Sequence, residues 1–212
     1  MLECTIVNQE QRCPAKIGAI VLAAGGSLRM GRPKQLLLID GQPMVRRVVQ
    51  AVCGAGLDQV VVVTGAHAAG VVQALAGLPV DFASNEAWTE GMSTSLREGL
   101  GVLRPEIQAS LIALADQPAL TSNVLAALVA RYCATRAPIV APVYQGRRGN
   151  PVLFDRRLFD ELLAVEGDQG GRPLLIRYAT EVEQVEMNDP AVILDVDTLE
   201  DYEEAQEWNT RR

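Results

Sequence analysis

Three short apolar runs, each followed by a turn and a stretch with helical spacing, constrain the fold of this chain most. The runs are IGAIVLA (Ile17–Ala23), DQVVVVT (58–64) and SLIALAD (110–116). They are apolar at consecutive rather than alternate positions, which is typical of strands covered on both faces. Apolar residues between the runs recur at steps of three and four residues, as one face of a helix requires. This alternation predicts βαβ units, and therefore a three-layer α/β/α sandwich with a mainly parallel sheet.

The second half of the chain carries weaker patterns, and no repeat or polar linker separates it from the first half. Residues 138–143 and 151–154 predict two strands joined as a hairpin through the turn-rich segment 144–150. The remaining predicted pieces are a helix at 158–165, a glycine-rich loop at 167–173, a strand-like apolar run at 192–194 and an acidic helix at 199–208. We therefore expect residues 17–212 to form a single domain, preceded by an N-terminal extension at 1–16.

Composition excludes several classes of protein. With 19 basic and 26 acidic residues the net charge is −7, which argues against nucleic acid or a membrane surface as the main partner. No apolar run approaches the roughly 20 residues needed to cross a bilayer, and residues 1–16 lack the apolar core of a signal peptide. We therefore expect a cytoplasmic protein. The four cysteines show no metal-binding or redox spacing and are expected to be unlinked thiols, and the single histidine, His67, is expected to be structural.

Candidate functional residues follow the apolar runs, because ligands of parallel sheets bind at the carboxyl ends of the strands. The first run leads into AGGSLRMGRPK at 24–34, in which small residues precede Arg29, Arg32 and Lys34. Consecutive backbone N–H groups in such a loop can cradle an anion that the basic side chains neutralise. The segment has neither the end of a Walker loop nor the G-x-G-x-x-G spacing of dinucleotide-binding proteins. It therefore predicts a triphosphate site of another design.

The string LAAGGSLRMGRPK (22–34) resembles the signature L-A-[AG]-G-x-S-x-R-M-G-x-x-K of the nucleotidyltransferases of molybdenum cofactor synthesis. The resemblance continues in NEAWTEGMSTSLREGL (85–100), LADQP (114–118), GNPVLF (149–154), GDQGGRPLL (167–175) and DVDTLEDY (195–202). It covers nearly the whole chain beyond residue 16. The resemblance implies a Rossmann-like nucleotidyltransferase fold, similar to that of the glycosyltransferase A group.

Ala24, Gln35 and the G-D-x-G-x-R loop are similar to the cytidylyltransferase branch of that family. This similarity implies CTP as the donor and molybdopterin phosphate as the acceptor, with molybdopterin cytosine dinucleotide and pyrophosphate as products. It also implies transient contact with a molybdenum hydroxylase of the xanthine dehydrogenase type. Two alternatives stay open: a nucleotidyltransferase acting on a sugar phosphate or another phosphorylated metabolite, and a non-catalytic carrier or chaperone of the molybdenum cofactor. Lys34 and Asp116 weigh against a carrier, since carrying needs no metal carboxylate.

Nucleotide transfer to a phosphate needs positioning and charge neutralisation more than it needs a general base. The resemblance implies that Arg29 and Lys34 are catalytic and stabilise the charge of the leaving pyrophosphate. It implies Mg²⁺ as the cofactor, with Asp116 and Asp197 as ligands. Asp195 competes with Asp197, because both side chains point to the same face of an extended segment. A further interpretation makes Asp197 the cap of the acidic helix that follows.

The remaining residues of the resemblance are assigned to the two substrates. The nucleotide is expected to contact Leu22, Ala23, Ala24, Gly25, Gly26, Ser27, Asn85, Gly91, Ser93, Ser95 and Asp116. The acceptor is expected at Asn150, Asp168 and Arg172, whose polar groups suit a pterin and its phosphate. Asn150 stands where the family often has histidine, and Gly171 stands where it often has alanine. These departures leave the acceptor more open than the class of reaction.

Overall fold

A central sheet organises the chain in the computed structural model, which describes residues 13–27 and 30–210. The strands are β1 (Ile17–Ala23), β2 (Leu38–Ile39), β3 (Gln42–Pro43), β4 (Gln59–Thr64), β5 (Asp81–Ser84), β6 (Ala109–Leu114), β7 (Ile139–Tyr144), β8 (Arg147–Arg148), β9 (Val152–Asp155) and β10 (Val182–Glu186). The helices are α1 (Met44–Gly54), α2 (Ala68–Ala74), α3 (Met92–Val102), α4 (Ser122–Thr135), α5 (Phe159–Leu163), α6 (Arg172–Arg177) and α7 (Leu199–Thr210).

The strands of the central sheet lie in the order β10-β7-β9-β6-β1-β4-β5, and β8 pairs with β7. β1 is parallel to both of its neighbours, β4 and β6. β9 is antiparallel to β6 and β7, because the chain returns from β7 through the predicted hairpin. The two-stranded hairpin of β2 and β3 lies apart from this sheet. The sheet is therefore mainly parallel, as the apolar runs predict.

Alternate side chains of β1 pack on opposite faces of the sheet and define two core layers. Ala19 and Val21 belong to a buried cluster that also contains the apolar faces of α1, α2 and α4. Ile20 belongs to a second cluster with the apolar faces of α3, α5 and α6. These clusters confirm the predicted three-layer α/β/α sandwich. In the described part of the chain, no helix is long and apolar enough to cross a membrane.

The structure corrects the prediction for residues 192–194. They do not form a strand, because Pro190–Ile193 is a 3-10 turn in which the Asp189 carboxylate accepts a hydrogen bond from the N–H of Ala191. Val192 is nevertheless fully buried, so the apolar run indicated burial rather than extended backbone. The predicted loop at 167–173 also ends early, because α6 begins at Arg172 with a proline in its first turn, where proline is tolerated.

The expectation of four unlinked thiols is wrong for two of the cysteines. Cys13 and Cys133 form a disulfide that ties the segment before β1 to α4. The two residues are 120 positions apart, so no sequence spacing could indicate the pair. Cys53 is a free, half-buried thiol, and Cys4 lies outside the described residues. The domain boundary after residue 16 stays a prediction.

Candidate active site

A buried glutamine holds the glycine-rich loop that follows β1. Gln35 is 3% exposed, and its side-chain amide donates to the carbonyl oxygens of Gly25 (3.0 Å) and Ala23 (3.4 Å). Ser27, with a left-handed φ of +53°, donates through its hydroxyl to Gln35 Oε1 (3.1 Å). The same hydroxyl accepts from the backbone N–H of Lys34 (3.0 Å). These bonds fix the backbone at Lys34 against the start of the loop.

The Lys34 ammonium lies between two carboxylates that the sequence predicts as metal ligands. Its Nζ is 2.7 Å from Asp116 Oδ2 and 2.6 Å from Asp197 Oδ1. The side chains of Lys34 and Asp116 are each 19% exposed, whereas that of Asp197 is 48% exposed. Burial alone would lower the pKa of Lys34, but the charge of Asp116 and the hydrogen bonds to both carboxylates raise it overall. The ammonium is therefore held as a cation beyond the carboxyl end of β6.

A backbone hydrogen bond positions Asp197 beside Lys34 and Asp116. The N–H of Val196 donates to the carbonyl of Asp116 (2.9 Å), which lays the segment 195–197 along the end of β6. Thr198 and Asp201 cap α7 reciprocally: the Thr198 N–H donates to Asp201 Oδ2 (2.7 Å), and the Asp201 N–H donates to Thr198 Oγ1 (3.1 Å). The carboxylate of Asp197 takes no part in this cap and faces Lys34. The interpretation of Asp197 as the helix cap is therefore wrong.

Asp195 lies beside the same carboxylates without sharing the ammonium. Burial, followed by the charges of Asp116 and Asp197, raises the pKa of the Asp195 carboxyl group. Both candidates for the second metal ligand therefore reach the site, and only Asp197 contacts Lys34. Asp116, Asp195 and Asp197 therefore place three carboxyl groups near the one ammonium of Lys34, a balance that favours a further cation.

These residues line a cavity of about 700 Å³ at the carboxyl edge of the sheet. The predicted site residues on its wall are Leu22, Ala23, Ala24, Gly25, Gly26, Ser27, Lys34, Gly91, Ser95, Asp116, Asp168 and Asp197. Residues that the sequence did not assign to a site also line it: Met30, Trp88, Thr89, Glu90, Met92, Leu114 and Ala115. Arg29 lies outside the described residues, so its role stays a prediction.

Two predicted nucleotide contacts lie behind the wall rather than on it. Asn85 is 2% exposed, and its amide donates to the hydroxyls of Thr94 and Ser95, at 2.8 Å each. Ser93 is fully buried at the start of α3, and its hydroxyl accepts a hydrogen bond from Arg97 (3.4 Å). Asn85 therefore fixes the hydroxyl of Ser95, which does line the cavity.

The three predicted acceptor residues are not brought together. Asp168 lines the cavity, and its carboxylate accepts from the N–H of Met92 (3.1 Å) at the start of α3. Asn150 and Arg172 are not on the cavity wall: Asn150 donates its backbone N–H to Val192 (2.8 Å), and Arg172 is exposed at the start of α6. Asp168 is therefore the one of these three that is positioned at the cavity.

Trp88 is a wall residue that the sequence reasoning missed. A Cβ added to Gly26 would lie 2.7 Å from the nearest atom of the indole ring, so only glycine allows this close approach. The signal available in the sequence was that Trp88 is one of two tryptophans and lies inside the segment NEAWTEG.

The donor set of this site fits a hard divalent cation. Asp116 Oδ1 is buried and has no hydrogen-bond partner among the described residues, and a buried carboxylate oxygen normally has one. Residues 13–27 and 30–210 contain no group of three or more His, Cys, Asp or Glu side chains that could hold a metal ion. Two carboxylates suit Mg²⁺, which completes its coordination with phosphate oxygens and water.

A mainly parallel sheet with its cavity at the carboxyl edge places the protein among Rossmann-like nucleotide-binding proteins. A family model described as the MobA-like NTP transferase domain matches residues 19–183. Because the match covers most of the chain, the protein belongs to this family of nucleotidyltransferases.

Individual proteins are also similar to this chain in sequence or structure over nearly its whole length. Nicotine blue oxidoreductase of Paenarthrobacter nicotinovorans is 30% identical over 196 residues, covering 87% of this chain and 93% of that protein. The structure of Rv0371c from Mycobacterium tuberculosis H37Rv has a TM-score of 0.82 at 30% identity, covering 91% of this chain and 98% of its own. A complex of the same protein with manganese has a TM-score of 0.77 at 29% identity, with the same coverage. A nucleotidyl transferase from Methanothermobacter thermautotroptrophicus has a TM-score of 0.79 at 25% identity, covering 92% of this chain and 98% of its own.

Proposed function

We propose that this protein transfers CMP from CTP to the phosphate of molybdopterin and releases pyrophosphate, with Mg²⁺ as the cofactor. One observation carries the class of reaction: the Lys34 ammonium lies between Asp116 and Asp197 in a cavity that the glycine-rich loop lines. The choice of CTP and of molybdopterin rests on the resemblance of Ala24, Gln35 and the loop at 167–173 to the cytidylyltransferase branch.

The proposed reaction requires no covalent bond between the protein and a substrate. An oxygen of the acceptor phosphate attacks the α-phosphorus of CTP, the bond from that phosphorus to the bridging oxygen breaks, and pyrophosphate leaves with the electron pair. The attacking phosphate is already an anion near neutral pH, so no general base is required. The work left to the side chains is to align the two substrates and to neutralise charge.

The proposed roles follow from the positions of the side chains. The loop from Ala24 to Ser27 holds the triphosphate, and Lys34 with Arg29 stabilises the charge that develops on pyrophosphate. Asp116 and Asp197 hold Mg²⁺, which neutralises phosphate charge and orients the triphosphate when it is bound. A divalent cation is supported by the unpaired Oδ1 of Asp116 and by the manganese complex of the Mycobacterium tuberculosis relative.

The acceptor is proposed to lie on the side of the cavity formed by Asp168. Asn150 and Arg172 are assigned to the part of the acceptor that extends beyond the described cavity wall. The product would serve a molybdenum hydroxylase of the xanthine dehydrogenase type, which is the protein partner that this function implies. The proposed compartment is the cytoplasm.

Pyrophosphate release tests the proposal directly. The purified protein is incubated with Mg²⁺, molybdopterin and each nucleoside triphosphate in turn, and release is expected with CTP alone. Asp116→Asn should abolish release, whereas Asp160→Asn, which removes an exposed carboxylate on α5, should leave it unchanged. Equal release with other triphosphates would overturn the choice of CTP. Release with a sugar phosphate as acceptor would favour that alternative, and nucleotide or cofactor binding without any release would favour a carrier.

The relative from Paenarthrobacter nicotinovorans supports a second candidate function. Its name describes an oxidoreductase, and it is 30% identical over most of this chain. Against this function, the sequence carries no dinucleotide-binding fingerprint. Oxidation of NADH or NADPH with nicotine blue as the electron acceptor, without release of pyrophosphate in the first assay, would establish the oxidoreductase and overturn the transferase.

A further inference from the structure

The position of Lys34 conflicts with the binding of a metal ion by the same two carboxylates. A Mg²⁺ ion held by both carboxylates must lie about 2 Å from one oxygen of Asp116, either Oδ2 or the unpaired Oδ1, and about 2 Å from one oxygen of Asp197. The ammonium nitrogen already lies 2.7 Å from Asp116 Oδ2 and 2.6 Å from Asp197 Oδ1. A metal ion would either occupy the same gap or face the ammonium across the two oxygens at short range. In both cases the two cations exclude or repel each other.

We propose that Lys34 is an internal counter-ion of the cation site: its ammonium holds Asp116 and Asp197 together in the ligand-free protein, and it must leave before both carboxylates bind a divalent cation. This inference rests on the proposed function only in taking these two carboxylates as metal ligands. It adds that Lys34 has two successive positions, one on the carboxylates and one on the triphosphate.

Charge supports this exchange. Lys34 is the one basic residue among the described residues on the cavity wall, which also carries five acidic residues: Glu90, Asp116, Asp168, Asp195 and Asp197. Without the ammonium, the facing carboxylates would repel each other, because like charges at short range destabilise a site. A divalent cation neutralises the same carboxylates and so releases the ammonium for an anionic ligand.

Local structure allows the side chain to move while its backbone stays in place. The N–H of Lys34 is held by the Ser27 hydroxyl at 3.0 Å, directly beside the glycine-rich loop. A lysine carries its charge on a flexible four-carbon stem, so the ammonium can move between the carboxylates and the loop without a movement of the backbone. It follows that metal and triphosphate favour each other's binding, since each ligand favours the position of Lys34 that the other needs.

Binding of Mn²⁺ alone, followed by electron paramagnetic resonance or calorimetry without nucleotide, tests the inference. Lys34→Met removes the competing charge and should bind Mn²⁺ at least about tenfold more tightly than the unmodified protein. Lys16→Met removes an exposed ammonium away from the cavity and should change Mn²⁺ affinity less than about twofold. Adding Asp116→Asn to Lys34→Met should remove the tight site. Equal or weaker Mn²⁺ binding by Lys34→Met would overturn the inference.

A measurement on the unmodified protein keeps the test decisive if Lys34→Met does not fold. The chain contains two lysines, Lys16 and Lys34, so selective ¹³C labelling of lysine gives two side-chain signals in the nuclear magnetic resonance spectrum. Saturation with Mg²⁺ should shift the Lys34 signal and leave that of Lys16, which lies on the surface near Glu106, unchanged. A Lys34 signal that does not move at saturation would overturn the inference.

Neither measurement uses CTP or molybdopterin. Loss of pyrophosphate release would therefore overturn the proposed function without affecting these results, and an unmoved Lys34 would leave the proposed function intact.

Discussion

The side-chain amide of Gln35 donates a hydrogen bond to the carbonyl of Gly25 at 3.0 Å, across ten positions of sequence. Through this bond, the residue after Lys34 supports the loop proposed to hold the triphosphate. Gln35 is buried and makes further bonds to Ala23 and Ser27, so it determines the shape of the loop rather than its charge.

Gln35→Leu should therefore raise KM for the nucleotide more than it lowers kcat. The change leaves two loop carbonyls without their partner and should lower the free energy of unfolding by about 2 kcal/mol. Gln50→Leu, at an exposed position of α1, serves as the matched control. Chemical denaturation and steady-state kinetics check both statements. An unchanged KM in a folded Gln35→Leu protein would contradict the role of the loop support.

Lys34→Ala should lower turnover by about two orders of magnitude or more, because it removes a charged donor from the leaving pyrophosphate. The fold should remain intact by circular dichroism, since the side chain lines the cavity and belongs to neither core cluster. Lys16→Ala, which removes the other lysine of the chain from an exposed position away from the cavity, is the control. If Lys34→Ala retains more than half of the original turnover at saturating CTP, the assignment is wrong.

Asp197→Asn should impair turnover more than Asp195→Asn. Asp197 contacts Lys34 directly, whereas Asp195 lies beside it with a raised carboxyl pKa caused first by burial and then by Asp116 and Asp197. We expect a loss of about 100-fold for Asp197→Asn and a smaller loss for Asp195→Asn. Turnover at several Mg²⁺ concentrations measures the difference. The opposite order would identify Asp195 as the second ligand.

Gly26→Ala should displace Trp88 from the cavity wall, because the added Cβ would lie 2.7 Å from the indole ring. The cost in stability should be about 1–3 kcal/mol, as for other overpacked sites. Gly25→Ala is the neighbouring control, because its Cβ would meet no atom within 4 Å. Tryptophan fluorescence of the ligand-free protein, measured in a Trp208→Phe background, should change with Gly26→Ala alone. Identical spectra for the two variants would contradict this contact.

Reduction of the Cys13–Cys133 disulfide should destabilise the protein. The bond closes a loop across 120 positions, and removal of such a bond is expected to cost about 2–4 kcal/mol. Dithiothreitol should therefore lower the thermal midpoint, and Cys133→Ser should abolish this effect while Cys53→Ser preserves it. Four free thiols by mass spectrometry of the unreduced protein would contradict the bond. Since such bonds are uncommon in a reducing cytoplasm, the same measurement bears on the proposed compartment.

The sequence predicts the centre of the sheet well, because β1, β4 and β6 are buried on both faces and therefore apolar at nearly every position. It is less informative at the edges, because β5 and β10 are only four and five residues long and mix polar with apolar residues at mostly exposed or half-buried positions. It also misreads Val192, because burial in a 3-10 turn produces the same apolar pattern as burial in a strand.

The same contrast holds for the site. The position of Asp116 follows from the rule that ligand-binding residues gather at the carboxyl ends of strands, whereas Asp197 follows a 3-10 turn and reaches the site through the hydrogen bond from Val196 to Asp116. Other features depend on contacts between distant segments, and no local spacing in the sequence indicates them. They are the hydrogen bonds from Gln35 to the loop, the approach of Trp88 to Gly26, and the disulfide. The positions of Asn150 and Arg172 away from the cavity wall could not be foreseen for the same reason.

The hydrogen bond from Val196 to Asp116 has a consequence for synthesis of the protein. Asp197 follows Lys34 by 163 positions, so the glycine-rich loop, Lys34 and Asp116 leave the ribosome well before the second carboxylate does. A nascent chain that stops short of residue 195 lacks Asp197, so the only one of the two carboxylates that it can offer to Lys34 is that of Asp116. The proposed cation site can therefore be completed only late in translation, when residues 195–197 dock along the end of β6.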